Sequence, residues 1–133
     1  SDYAHHPAEI KQSILSLREV FNGRKITAIF QPHLYTRTRD FYKDFADALS
    51  LLDEVILLDI YPARELPIEG VNSQLIFDRL RPEMTKRMAH LTELPQIVAE
   101  GDFDVLVVLG AGDADTYCPQ LTEILLKKQA TKA

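Results

Sequence analysis

The 133-residue chain has a single cysteine, Cys118, so no disulfide can form within it, which fits a reducing cytoplasm. No apolar run reaches the roughly 20 residues that cross a bilayer, and the N-terminus lacks a secretory pattern. Positive charge is short as well. Fifteen Lys and Arg against 20 Asp and Glu leave a net charge of −5, which argues against a general nucleic-acid binder and against an anionic membrane surface. Repeats and low-complexity segments are absent. What remains is an ordinary globular composition, 46% hydrophobic and 26% charged, in a chain long enough for one core and too short for two.

The chain turns on residues 30 to 40, Phe30-Gln31-Pro32-His33-Leu34-Tyr35-Thr36-Arg37-Thr38-Arg39-Asp40. An apolar run, Ile26 to Phe30, feeds into it, and a helical pattern with Phe41, Phe45 and Leu49 leaves it. Such a strand-to-helix turn exposes side chains at the carboxyl edge of an open α/β sheet, where ligands bind. Pro32 removes a donor and biases Gln31 away from helical angles, which gives the turn a fixed shape. Its His, Tyr, two Thr and two Arg suit anion binding; the same residues also suit a solvated loop in which Thr38 caps the next helix.

In chain order, Pro7 opens a first helix whose Ile14, Leu15, Leu17 and Phe21 recur at helical spacing, with Asn22-Gly23 as its αL stop. His5 and His6 stand at its N-terminal mouth, where free N–H groups favour an anion; as an alternative they cap the helix or lie on the surface. No third ligand or metal spacing accompanies them, so no metal site is expected. A strand over Lys25 to Phe30 and an amphipathic helix over Arg39 to Leu52 follow. Val55 to Leu58 reads as an interior parallel strand, and residues 59 to 70 as a loop of functional length, with Asp59 either satisfied within it or a ligand group. Asn72 or Ser73 caps a helix to about Arg81. Arg87 to His90 is a short strand, Leu94 to Glu100 a helix ended by Gly101, and Val105 to Leu109 the most apolar strand.

Gly110-Ala111-Gly112 follows that last strand, but position 115 is Asp and no ribose acid lies downstream, so it is a weak dinucleotide fingerprint. Its glycines suit a close backbone approach to a neighbouring loop or a phosphate. Cys118 reads as a small filler after this turn, and Pro119 starts a last helix burying Leu121, Ile124 and Leu125. The alternation predicts an α/β fold: a Rossmann-like, mostly parallel open sheet with helices on both faces and the polar loops at one edge.

Four motifs now stand in order: Asp-Tyr-Ala-His-His-Pro at 2 to 7, Phe-Gln-Pro-His-Leu-Tyr-Thr-Arg-Thr at 30 to 38, Asp-Ile-Tyr-Pro-Ala-Arg-Glu at 59 to 65, and Gly-Ala-Gly at 110 to 112. Together they resemble, over nearly the whole chain, the C-terminal domain of the Mur ligase family, and within it the branch that adds L-alanine to UDP-N-acetylmuramate. The resemblance implies an ATP-dependent amide ligase of bacterial peptidoglycan synthesis, with residues 1–133 as one domain of three. The N-terminal domain would bind the UDP-sugar, and the central P-loop ATPase would hold most of the Mg2+ and ATP contacts. The chain has no Gly-x-x-x-x-Gly-Lys-[Ser/Thr] loop, so alone it is expected to be inactive.

Position by position, the resemblance implies that Asp2 bonds the ATP ribose and that Tyr3 and His5 lie near the nucleotide, His5 also near the reacting groups. His33 and Arg37 would lie near L-alanine and the acyl phosphate, with Arg37 gripping the alanine carboxylate. The family's commoner pattern has Arg at Leu34 and Gly at Arg64; Arg64 is therefore a candidate to replace the arginine missing at position 34. Three other readings stay open: a recycling ligase that joins ready-made tripeptide to UDP-N-acetylmuramate, a stand-alone nucleotide- or anion-binding module, and a protein-docking domain.

Overall fold

The computed structural model of the chain describes residues 6–110 together with 119, 123 and 124. Helix α1, Pro7–Val20, opens with Pro7 in its first turn, and Glu9 Oε1 reaches back to accept the His6 N–H at 3.2 Å. Ile10 and Ile14 are fully buried on its inner face. Beyond it the chain turns through Gly23 at φ +79. Strand β1, Ile26–Phe30, leads to α2, Tyr35–Leu49, then to β2, Glu54–Leu58, and the short α3, Gln74–Phe77. Strand β3, Thr85–Ala89, a 3-10 turn at Leu91–Glu93, helix α4, Leu94–Glu100, and strand β4, Val105–Leu109, complete the described elements.

The sheet order is β3-β2-β1-β4 and every pairing is parallel. Ile29 at its centre stands opposite Ile56 on one side and Val108 on the other. Alternate residues feed two cores. Ile26, Ala28, Phe30, Val55 and Leu57 pack with Ile10 and Ile14 of α1 and Phe45 and Leu49 of α2. Ile29, Ile56, Leu58 and Val108 pack on Leu94 and Val98 of α4. Each such large side chain, taken fully out of water, contributes about 1.5–3 kcal/mol. Helices therefore cover both faces, and the expected α/β architecture stands.

The crossovers β1-α2-β2 and β2-α3-β3 step the same way and keep their helices on one face. The β3-α4-β4 connection reverses direction, so a right-handed crossover carries α4 to the other face. The reversal places a topological switch point between β1 and β4, and open sheets bind ligands outside such a point.

The bounds of several elements depart from the sequence reading. Helix α2 starts at Tyr35, not Arg39, so most of the signature stretch is helical. It ends at Leu49, where the Arg81 guanidinium bonds the Ser50 and Leu52 carbonyls at 3.3 and 3.0 Å. Helix α3 covers four residues and does not reach Arg81; the Arg79 and Leu80 N–H groups bond Ile76 and Phe77, three residues back, as the chain tightens toward that anchor. Strand β3 starts at Thr85 and stops before His90. Of the last helix, Pro119, Glu123 and Ile124 are described; Ile124 packs on the α4-side core. Leu121, Leu125, Cys118 and Gly112 lie outside the described residues. Among the described residues no helix is long and apolar enough to cross a membrane.

Candidate functional site

Two loops at the carboxyl edge are joined by their backbones. The Tyr61 N–H donates to the Pro32 carbonyl and the Leu34 N–H donates to the Tyr61 carbonyl, each at 2.8 Å. His33 and Tyr61 thus form a parallel bridge beyond the ends of β1 and β2. Their rings stack with centroids 5.4 Å apart and planes at 28°. The loop after β4 approaches from the other side. Gly110 has φ +93, and a Cβ built there would lie 2.7 Å from the Gln31 carbonyl oxygen. A close approach to a neighbouring loop, expected of this glycine, is what the structure shows.

The start of α2 is held from outside its own sequence. Leu34, its N-cap, has φ 73 and ψ 140 and no side-chain acceptor. This backbone conformation is costly for a residue with a Cβ, by about 1–3 kcal/mol, and persists where neighbours over-determine it. Glu65 supplies the missing acceptor. Its Oε1 accepts the Tyr35 and Thr36 N–H groups at 2.5 and 3.1 Å, and its Oε2 accepts the Thr36 hydroxyl at 2.5 Å. The hydroxyl bond, the two amides and nearby Arg39 outweigh the opposing effect of desolvation and hold this carboxyl below its ordinary value. Thr38 does not cap the helix. It is fully buried one turn in, donating from Oγ1 to the Leu34 carbonyl at 2.9 Å, because the helix begins earlier than the sequence pattern suggests.

Arg37 lies half-buried in that first turn, and no hydrogen bond or ion pair joins its guanidinium to another described residue. Arg64 is exposed on the partner loop, next to Glu65, and is likewise unpaired among the described residues. The structure therefore brings His33, Arg37 and Arg64 into one pair of stapled loops. Asp2, Tyr3 and His5 lie outside the described residues, although α1, which they precede, opens at the same edge. His6 there lies against Phe41 of α2, ring centroids 5.1 Å apart. A groove of about 410 Å³ runs between α1 and α2, with Asp44 and Asp47 facing Lys11 and His6; its acids make it a poor seat for phosphates.

Asp59 has a partner the sequence did not suggest: its Oδ2 lies 2.6 Å from His90 Nδ1, where β2 and β3 end. Among the described residues no group of three His, Cys, Asp or Glu could hold a metal ion. Glu65 lies in the third sequence motif, which by itself gives no sign of this capping role. The available signal was the absence of Ser, Thr, Asp or Asn before Tyr35, which leaves a helix start in need of a distant acceptor.

Comparison with known proteins gives this edge its context. The family described as Mur ligase, glutamate ligase domain, matches residues 1–112. A UDP-N-acetylmuramate–L-alanine ligase of Phocaeicola vulgatus is 64% identical over 128 residues, 96% of this chain and 28% of that protein. The chain thus spans little more than a quarter of such relatives. The crystal structure of a UDP-N-acetylmuramate–alanine ligase from Thermotoga maritima superposes with a TM-score of 0.70 at 28% identity, over 98% of this chain and 26% of that one. A murein peptide ligase from Psychrobacter arcticus reaches 0.73 over 94% of this chain and 26% of that one, but at 15% identity it shares the fold alone. A match over residues 1–112 takes in most of the sequence, and on that ground the chain belongs to the Mur ligase family.

Proposed function

We propose that this chain is the C-terminal domain of a bacterial, cytoplasmic ligase that joins L-alanine to UDP-N-acetylmuramate. N-terminal UDP-sugar-binding and central ATPase domains would complete the same polypeptide. The observation that carries the reading is Arg37, a half-buried guanidinium without a partner among the described residues, in the first turn of α2 beside the stapled loops and the switch point. The name borne by the 64% identical relative supports alanine as the amino acid. The central domain would hold most of the ATP and Mg2+ contacts, and these would supply the activation of the muramyl carboxylate.

The residues here would serve the second half of the reaction. The guanidinium of Arg37 takes the alanine carboxylate with two parallel N–H bonds, which aims the amine at the acyl carbon. As the C–N bond forms and the C–O bond to phosphate breaks, the amine sheds a proton, for which an imidazole, His33 or His5, is suited near neutral pH. Stacking on Tyr61 fixes the His33 ring. Arg64 supplies positive charge from the facing loop where Leu34 cannot. Asp2 would accept from the ATP ribose hydroxyls, with Tyr3 and His5 beside the nucleotide.

The test is ADP release by the complete enzyme, with L-alanine varied. Arg37→Ala should raise the KM for alanine by roughly one to two orders of magnitude, the loss of a hydrogen-bonded ion pair. Arg64→Gly should raise it less, and an unchanged KM would remove Arg64 from the site. Turnover with a preformed tripeptide and not with alanine would transfer the domain to a recycling ligase.

A further inference from the structure

Helix α2 runs for 15 residues and its first N–H groups have no partner within the helix. An N-cap side chain ordinarily fills that need, but Leu34 has no acceptor to offer. Residue 65, on a different loop, fills it instead: one carboxylate takes two successive amides and the Thr36 hydroxyl. Two consequences follow for the site. The positive end of α2 is already occupied by an anion of the chain itself, so an incoming carboxylate or acyl phosphate is left to side chains of the first turn. In addition, the turn bearing Arg37 and the loop bearing Arg64 are tied together, since Arg64 is the residue before Glu65.

We propose that Glu65 is a positioning residue of the amino-acid site, acting through Tyr35 and Thr36 to set where Arg37 stands relative to Arg64. The proposal rests on the ligase reading above. It assigns Glu65 no contact with substrate. The carboxylate staples the two loops in register with the Leu34–Tyr61 and Tyr61–Pro32 backbone bonds. Removing it frees the N–H groups of Tyr35 and Thr36 and leaves the strained Leu34 held by fewer neighbours.

The experiment is steady-state kinetics of the complete enzyme with Glu65→Ala, Glu65→Gln and Thr36→Val, varying L-alanine, ATP and UDP-N-acetylmuramate in turn. Assays run well below each variant's unfolding midpoint. Glu65→Ala should raise the KM for alanine at least tenfold and change the other two KM values less than threefold. Glu65→Gln keeps an acceptor for the amides and should restore the KM for alanine to within about threefold of wild type. Thr36→Val loses one of the three bonds and should fall between them. An alanine KM within twofold of wild type in folded Glu65→Ala overturns the role. So does an equal rise in all three KM values with no rescue by Gln, the pattern of a purely structural residue. If Glu65→Ala does not fold, a wild-type alanine KM in Thr36→Val overturns it equally. Wild-type enzyme without alanine-dependent ADP release would overturn the ligase reading itself, whereas normal wild-type turnover with unaffected variants removes Glu65 alone.

Discussion

His90 has its titration shifted by Asp59, a residue whose role the sequence left open. The hydrogen bond that the His90 ring donates to Asp59, and then the charge of that carboxylate, raise the His90 imidazole above its ordinary value near 6.5. A raised folded pKa means that the pair's stabilisation is fully present below the unfolded value of about 6.5 and is lost as pH climbs through the folded one. Both side chains are exposed, 73% and 62%, so solvent screens the pair and global stability should respond little. The imidazole itself reports the effect. Its NMR titration should fall back toward 6.5 in Asp59→Asn, and an unmoved midpoint would show that the pair does not form. Glu65 has the opposite sign: its depressed carboxyl keeps the α2 staple intact above the ordinary glutamate range and releases it only as pH falls below that range. The staple is therefore present throughout neutral pH.

Among the elements, β4 and its exit carry a tight backbone constraint. Val105 to Leu109 pairs residue for residue with β1, from Ile26 against Val105 to Phe30 against Leu109. The chain must then pass within contact of the Gln31 carbonyl at Gly110. Gly110→Ala should destabilise the protein by about 1–3 kcal/mol, from a left-handed φ and a Cβ with no room. The urea midpoint measures it; an unchanged midpoint would mean that the β1 and β4 exits can separate at no cost. Helix α2 shows a second kind of constraint. Its buried face of Phe45 and Leu49 follows from helical spacing, yet both of its ends are finished by residues far along the chain, Glu65 at the start and Arg81 at the finish.

In the molecule as a whole, four parallel strands end at one edge, and the reversal at β3-α4-β4 sets the loops after β1 and β4 side by side. Among the described residues that arrangement shows no cradle for a nucleotide's β- and γ-phosphates. The positive end of α2 is filled by Glu65, and no Gly-x-x-x-x-Gly-Lys-[Ser/Thr] segment occurs in the 133 residues. The isolated chain should therefore show no alanine-dependent ADP release in a coupled assay that detects the complete enzyme. Release by the chain alone would place a phosphate cradle within these residues.

The apolar runs Ile26 to Phe30, Val55 to Leu58 and Val105 to Leu109 announce interior strands because a strand buried on both faces needs little polar alternation. Helical spacing marks α1, α2 and α4 for the same local reason, and the order of four polar motifs points to the family. These are properties of neighbours in sequence. Pairing of β4 with β1, the start of α2 at Tyr35, the stapling of His33 to Tyr61, the Glu65 cap and the Asp59–His90 pair are not. Each joins residues about 30 or more apart, or follows from such a contact. Its stability comes from groups that meet only after the loops have closed. Local propensity ranks Leu34 as a poor helix cap and Thr38 as a good one. The fold reverses that order because a carboxylate on the next loop satisfies Tyr35 and Thr36 better than Thr38 could from inside the turn.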